Sequence, residues 1–302
     1  MIRFIGENKD ENLASWRLRI KPLYEYLKSE GVNVETTNVP TELVKGDTLI
    51  FSKHFDPSHL VVAEAARRGG CKIIFDICDS HWGREFGPYY SAMSALSDCI
   101  TVPTLFLSTV ALEHIGQWRG NKYNANIRVI PDVCTRKRLP PRIGNNFLFY
   151  GHQSNLDPLY NFLQKTDFDS SKLTWISNIK GDNPFPKSKF IPWSIEALDE
   201  EIEKSNIVLI PQDTTKLHSM SKSSNRVMDA LMAGNFVVAS PVASYVEYCR
   251  WIHIGSIDEG IKWALENPNK LENMITSAQD HIEKNYRVEN VAKHWKLLID
   301  TL

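Results

Sequence analysis

Residues 219–240 read Ser219-Met-Ser-Lys222-Ser223-Ser224-Asn225-Arg226-Val-Met-Asp229-Ala-Leu-Met-Ala-Gly234-Asn-Phe-Val-Val-Ala-Ser240. The stretch is a polar, hydroxyl-rich loop, a short helix from about Asn225 to Ala233, a glycine stop and a buried strand, Phe236–Ala239. At the start of a helix several backbone N–H groups lack intrahelical partners, and the helix dipole places its positive end there. Anions, phosphates above all, are stabilised at such a place. Lys222 adds a full positive charge to the same spot. Asp229, one turn into the helix, is spaced to accept hydrogen bonds from neighbouring hydroxyls such as those of a ribose. The same residues also fit a capped helix between two strands of an α/β domain, with Lys222 and Asp229 merely solvated.

This segment resembles the donor-binding signature of the large retaining family of nucleotide-sugar glycosyltransferases with the two-domain GT-B fold. In that signature a first glutamate is followed eight positions later by a second, which opens Glu-Ala-Met-Ala-x-Gly and an apolar Pro-Val-Val-Ala strand. Asp229-Ala-Leu-Met-Ala-Gly234-Asn-Phe-Val-Val-Ala matches from the second acid onward, with aspartate for glutamate. The first acid falls at Ser221 and is missing. The loop Lys222-Ser-Ser-Asn225-Arg226 resembles a divergent branch of these enzymes with Lys-Ser-x-Asn-Arg in that place. The departure at Ser221 concerns sugar selectivity and rate more than nucleotide binding.

The rest of the chain sets the bounds. At 302 residues it exceeds the usual single-domain size and fits two domains. Its 42% hydrophobic and 24% charged residues are ordinary for a globular protein. A net charge of −1 argues against a general nucleic-acid binder, which would carry a basic excess. No apolar run approaches the roughly 20 residues of a membrane span. The opening Met-Ile-Arg-Phe-Ile-Gly reads as a strand and not as a signal peptide. Cys71, Cys78, Cys99, Cys134 and Cys249 show no CxxC and no metal-ligand spacing, which points to reduced thiols in a cytosolic protein.

Short apolar runs alternate with helical patterns in the first half. Strands are expected at Ile2–Ile5, Val32–Thr36, Thr48–Ser52, Lys72–Ile77, Cys99–Val102 and Ile127–Ile130. Helices are expected from Ser15 to Gly31, at Pro57–Arg68, Tyr89–Ser97 and Thr104–Ile115. Strict βα alternation with continuous apolar strands predicts a parallel sheet covered on both faces. Residues 134–146 interrupt the pattern with prolines, turn formers and four cations, and read as the interdomain connector. These cations fit a solvated linker, or contact with an anionic membrane or lipid-linked phosphate. The pattern then restarts with strands Phe147–Tyr150, Leu173–Ile176, Ile207–Ile210 and Phe236–Ala239, a helix beginning at Pro158, and a helix at Ile195–Lys204. Val288, Val291, Trp295 and Leu298 have helical spacing. They resemble the terminal helix that crosses back onto the first domain in GT-B enzymes.

The expected architecture is α/β, with two Rossmann-like domains facing a central cleft. Residues 1–140 form the acceptor-side domain, 141–284 the nucleotide-sugar domain and 285–302 the returning helix. Ligands of such sheets bind beyond the C-terminal strand ends.

Several constellations sit at those ends. Gly151-His152-Gln153-Ser154-Asn155 follows a strand, and glycine there permits close backbone approach to a ligand. In the family this loop faces the donor phosphates and usually carries arginine and lysine. Here neither is present, and His152 is either a partial substitute or a surface turn residue. Phe190-Ile191-Pro192-Trp193-Ser194 is read as a loop before a helix, with Ser194 as N-cap. The resemblance brings Ile191 and Trp193 to the nucleotide base, while Trp193 equally fits ordinary packing. Asp76-Ile-Cys-Asp79-Ser80-His81 places two acids and a histidine at a strand end. His81 is the candidate for the transferred sugar, with Asp79 orienting it, contacting the acceptor or capping a helix. Ser15 and Arg17 open the first long helix and could face donor phosphates or an anionic acceptor. Arg17 and Arg19 point different ways, so at most one does so. Asp213 to His218 reads as a flexible loop that orders on donor binding. Glu247 lies near the family's Gly-Gly-x-x-Glu position or packs at a sheet edge.

The resemblance therefore implies a glycosyltransferase acting with retention in glycan or polysaccharide biosynthesis. His81, Asp79 and Lys222 would be catalytic. Gly151, His152, Ile191, Trp193, Lys222, Ser223, Ser224, Asn225, Arg226 and Asp229 would hold the donor, with Ser15 and Arg17 on the phosphate or acceptor side. Nucleotide sugar is the co-substrate; no further cofactor, no metal and no nucleic acid are expected. The acceptor would be a glycan, lipid-linked or small molecule, and the protein cytoplasmic or peripheral to the inner membrane face. Two other readings stand beside it: a catalytically silent nucleotide-sugar-binding or scaffold protein, and a sugar-nucleotide epimerase, for which no acid/base constellation is found.

Overall fold

Strands whose every residue is apolar need cover on both faces, and the structure provides it twice. The structure, a computed structural model, describes residues 1–6, 11–52, 56–83, 85–118, 126–179, 183 and 185–302. The chain divides into two units. One comprises Met1–Thr135, Ser221–Ser223 and Asn285–Leu302; the other comprises Arg136–Met220 and Ser224–Lys284.

The first unit contains β1 (Ile2–Ile5), α1 (Lys21–Ser29), β2 (Val34–Thr37), β3 (Thr48–Ser52), α2 (Pro57–Arg68), β4 (Lys72–Asp76), α3 (Gly87–Leu96), β5 (Cys99–Val102), α4 (Leu105–Trp118) and β6 (Ile127–Val129). All strands run parallel in the order β2-β1-β3-β4-β5-β6. Alternate residues divide between the faces. Leu49, Phe51, Ile73 and Phe75 join the core beneath α2, α3 and α4. Phe4, Ile50 and Ile74 join the opposite core with Leu23 and Leu27 of α1.

The second unit contains β7 (Phe147–Tyr150), α5 (Leu156–Lys165), β8 (Leu173–Ser177), β9 (Lys189–Pro192), α6 (Ile195–Lys204), β10 (Ile207–Ile210), α7 (Leu217–Met220), α8 (Asn225–Met232), β11 (Phe236–Ala239), β12 (His253–Ile254), α9 (Ile257–Glu266) and α10 (Pro268–Tyr286). Its sheet is also all parallel, in the order β12-β11-β10-β7-β8-β9. Because β7 has β8 on one side and β10 on the other, the winding direction reverses at β7, where ligands of doubly wound sheets bind.

After α10 the chain forms α11 (Val288–Thr301). Val291, Ala292, Trp295 and Leu298, at helical spacing, are buried in the core of the first unit that holds Phe4, Leu23 and Leu27.

Four expectations change. The helix expected from Ser15 to Gly31 starts as a π-helical turn, Trp16–Ile20, before α1. Pro22 is the cause: it has no N–H for the Leu18 carbonyl and its ring crowds that oxygen. The Leu18 carbonyl accepts from the Val133 N–H instead, at 2.8 Å. The segment read as a loop at 190–194 contains the edge strand β9, and the Trp193 N–H continues the pairing with Ser177 O at 2.9 Å. Ser194 caps α6 as expected, accepting from the Ala197 N–H at 3.0 Å. The segment read as flexible at 213–218 is a turn closed by Asp213, which accepts from the Thr215 N–H at 3.1 Å and its hydroxyl at 2.6 Å, and it leads into α7. Finally, the connector is fastened to its own unit, as the site geometry shows.

Candidate functional site

The short helix α8 is held at its C-terminal end by parts of the second unit remote in sequence. Helix-end carbonyls need donors. Leu139 N–H donates to Met232 O and Arg142 N–H to Gly234 O, both at 2.8 Å. The Arg142 guanidinium donates to Ala233 O at 2.6 Å and to Ile202 O, at the end of α6, at 2.8 Å. Gln279 of α10 donates to Leu139 O at 2.8 Å and Leu231 O at 2.9 Å. The connector cations are thus tied down: Arg138 pairs with Asp280 and Glu283, at 2.6 and 2.9 Å. Gly234 has φ +83°, and a side chain there would collide with the Pro140 carbonyl. This is why position 234 requires glycine.

The N-terminal turn of α8 meets the end of β7. Arg226 Nη1 donates to the Tyr150 carbonyl at 3.2 Å, and the Tyr150 hydroxyl donates back to the Arg226 carbonyl at 3.0 Å. A β-carbon on Gly151 would lie 3.3 Å from Arg226 Nη1 and 3.4 Å from Asn155 Nδ2, so the guanidinium rests over the Gly151 turn. The cation beside the Gly151 turn thus comes from α8 and not from the turn itself. Burial drives the Tyr150 and Tyr245 hydroxyls above their ordinary pKa, with the Arg226 charge opposing the rise in both. Both phenols are neutral at physiological pH. Proximity of Arg226 to Gly151 is not encoded in the spacing of either motif; it follows from β10 and β11 bringing α8 beside β7.

Asp229 is buried, with Oδ1 4.0 Å from Arg136 Nε. Arg136 Nη2 also pairs with Asp199 of α6 at 2.7 Å. Burial works against the Arg136 charge, but Asp229 and Asp199 outweigh it and hold its pKa above the ordinary value. The connector arginine was not anticipated as a partner for Asp229. Ser224 is buried, while Asn225 and Arg226 are half-buried. Lys222 and Ser223 are half-buried in the triplet that groups with the first unit. Ser221, where the first acid is missing, is 1% exposed.

His152 is exposed and caps its own turn, its Nδ1 accepting from the Ser154 N–H at 3.2 Å. That geometry gives it a local structural task. Ile191 and Trp193 are half-buried, whereas Phe190 packs on Trp175 with ring centroids 4.3 Å apart.

In the first unit, Asp76 is removed from the candidates by its own network. It is 0% exposed and accepts from Arg19 Nε at 2.8 Å, Arg19 Nη2 at 2.6 Å, Thr101 Oγ1 at 2.6 Å and Ser52 Oγ at 2.8 Å. Arg19 is thereby structural, and it also pairs with Asp132 at 3.0 Å. Asp79 and His81 remain half-buried just beyond β4. The Tyr90 hydroxyl donates to Asp79 O at 3.3 Å, and the His81 ring lies edge-on to Tyr90, centroids 5.6 Å apart. Asp79 caps no helix, since α3 opens after Phe86. Arg17 is half-buried and donates to Glu11 O at 2.9 Å, and Ser15 makes no side-chain cap. Glu247 pairs with His281 at 2.7 Å. Among the described residues no group of three or more His, Cys, Asp or Glu is placed to hold a metal, and no helix is long and apolar enough to cross a membrane.

No protein-family description matches the sequence, and no curated protein matches it. Solved structures do. T4 phage BGT in complex with its UDP-glucose substrate superposes with a TM-score of 0.61 at 12% identity, over 99% of this chain and 98% of that one. The fold is GT-B. TarM aligns with a TM-score of 0.60 at 12% identity over 92% of this chain. The chain spans only 57% of TarM's length. A trehalose-6-phosphate synthase, described in terms of glycosyl transfer with retention, gives 0.60 at 11% identity over 96% of this chain and 84% of its own. At such identities these likenesses speak for the shared GT-B architecture, and the chemistry has to be argued from the residues of this chain.

Proposed function

We propose that this protein is a glycosyltransferase that moves a sugar from a nucleotide-sugar donor to a glycan, lipid-linked or small-molecule acceptor, with retention and without a metal, in glycan or polysaccharide biosynthesis. The observation that carries the reading is the Arg226 guanidinium resting over the Gly151 turn, at the strand where the second sheet reverses its winding. A fixed guanidinium beside a glycine turn and a helix N-terminus suits a diphosphate, which it can meet with paired hydrogen bonds. In this reading Arg226, Ser224 and Asn225 hold the diphosphate, and Lys222 and Ser223 approach it from the preceding loop. Asp229 accepts from the ribose with Arg136 beside it as counter-charge, and Ile191 and Trp193 flank the base. Catalysis is positioning and electrostatic stabilisation of the departing nucleoside diphosphate, with His81 and Asp79 serving the sugar and acceptor side. The acceptor-bearing membrane, where there is one, is met peripherally from the cytoplasm.

Thermal-shift screening against UDP-, GDP- and dTDP-sugars identifies the donor, since a ligand at 100 times its Kd stabilises by about 2.7 kcal/mol. Turnover of Lys222→Ala with that donor then tests the mechanism. Loss of one preorganised donor is expected to cost about 2 to 4 kcal/mol, roughly 30- to 1,000-fold in kcat. Wild-type turnover in the variant would remove Lys222 from catalysis. A second reading, nucleotide-sugar binding without transfer, is favoured by the buried Ser221 in place of the first acid. It predicts donor binding with no sugar released in any donor–acceptor mixture.

A further inference from the structure

Two residues beside the Gly151 turn each carry a buried polar side-chain atom without a hydrogen-bond partner among the described residues. One such atom is Nε2 of Gln212, a residue 7% exposed. The other is Oγ of Ser177, a residue 0% exposed. The strand registers place them. Ile207 lies opposite Phe147 and Val208 opposite Leu148, so Ile210 comes level with Tyr150 and Gln212 with the residues just beyond it. On the other side Ile176 lies opposite Tyr150 and its carbonyl accepts from the Gly151 N–H at 3.0 Å, so Ser177 follows alongside the same turn. The main chain of Gln212 is fixed, its N–H donating to Ser240 Oγ at the end of β11 at 2.9 Å.

Buried donors are almost always paired, and one left unpaired is destabilising. A packed core gives no reason to keep a primary amide at Gln212 when Leu or Met would fill the volume. The unpaired nitrogen therefore calls for an acceptor that the protein itself does not supply. It lies at the strand ends where the second sheet reverses its winding, with the Arg226 guanidinium over the neighbouring turn. We infer that Gln212 is a ligand-binding residue whose amide N–H donates to the diphosphate of the nucleotide sugar, with the Ser177 hydroxyl completing the set from the opposite side of the turn. The inference rests on the proposed donor reading and adds to it a neutral donor pair that no resemblance supplied. An uncharged amide and hydroxyl pair satisfies phosphate oxygens without strengthening the grip so far that the product nucleotide is retained.

The test uses the full chain and two variants, Gln212→Met, which keeps the volume and removes the amide, and Ser177→Ala. Each is measured without ligand by thermal unfolding and with UDP, GDP and dTDP, and with the matching nucleosides, by isothermal titration. The expected result is an unchanged or higher melting temperature for the ligand-free Gln212→Met protein. Its affinity for the diphosphate that binds wild type should fall about tenfold, with unchanged affinity for the nucleoside. Ser177→Ala should show the same pattern with a smaller loss. Equal diphosphate affinity in wild type and Gln212→Met, or a ligand-free melting temperature lowered by several degrees, overturns the inference and leaves the donor reading standing. Wild-type protein that binds none of the three diphosphates overturns the donor reading, and the inference goes with it.

Discussion

Replacing Gly234 with alanine tests how α8, and Arg226 with it, is held in place. Two costs add. Gly234 has φ +83°, a left-handed conformation that costs a residue with a β-carbon about 1–2 kcal/mol. The new methyl would also lie inside contact distance of the Pro140 carbonyl oxygen, 3.0 Å from its carbon and 3.4 Å from Leu139 O. All three are main-chain atoms, so no side chain can swing aside, and overpacking of this kind costs about 1–3 kcal/mol. Moving the connector away instead would strain the Leu139–Met232 and Arg142–Gly234 hydrogen bonds. The expected loss is about 2–5 kcal/mol, a large share of a typical domain's 5–15 kcal/mol. Urea unfolding followed by tryptophan fluorescence and circular dichroism measures it. Gly46→Ala is the reference: its φ is +91° with nothing within 4 Å of the added carbon, so only the conformational part, about 1–2 kcal/mol, applies. Gly234→Ala no more destabilised than Gly46→Ala would refute the argument that the Pro140 carbonyl enforces glycine.

Two further outcomes follow from the first unit. Asp76→Ala leaves Arg19 buried without its main counter-charge, so stability should fall by about 3–5 kcal/mol, measured by chemical denaturation; a change under about 1 kcal/mol would contradict the network's role. Trp295→Ala opens a cavity among Phe4, Leu23 and Leu27, with an expected loss of about 3–5 kcal/mol by the same measurement, and α11 amides should lose hydrogen-exchange protection.

Strands buried on both faces, and helices with one apolar face, were the legible part of this chain. Thr48–Ser52, Cys99–Val102, Phe147–Tyr150, Ile207–Ile210 and Phe236–Ala239 are observed with the bounds the apolar runs predict, as are the helices Pro57–Arg68 and Ile195–Lys204. Among the strands, what escaped lies where burial is one-sided or the pattern short. β9 is an edge strand ending in Pro192, and β12 has two residues. α9 and α10 went unread although Ile257, Ile261 and Ala264 of α9 recur at helical spacing. The helix opening at Trp16 hides a proline whose effect depends on which carbonyl it orphans. In the candidate site the individual residues Gly151, Arg226 and Asp229 stood out, but their partners did not. Arg226 meets Gly151, and Arg136 meets Asp229, across 75 and 93 positions of sequence, contacts that only the strand order creates. The connector cations looked solvated because their partners are distant in sequence: helix-end carbonyls for Arg142, and carboxylates of α6, α8 and α10 for Arg136 and Arg138.

The fastening of residues 139–142 to the end of α8 has a mechanical consequence. Main chain and helix there form a single rigid piece, with Arg142 riveted to the ends of two helices and Gln279 clamping it from a third. Any pull on the chain just upstream is passed to the helix that opens with Asn225 and carries Arg226 in its first turn, so a strain gauge placed at Leu139, for instance a spin label, would register what happens at the far end of α8.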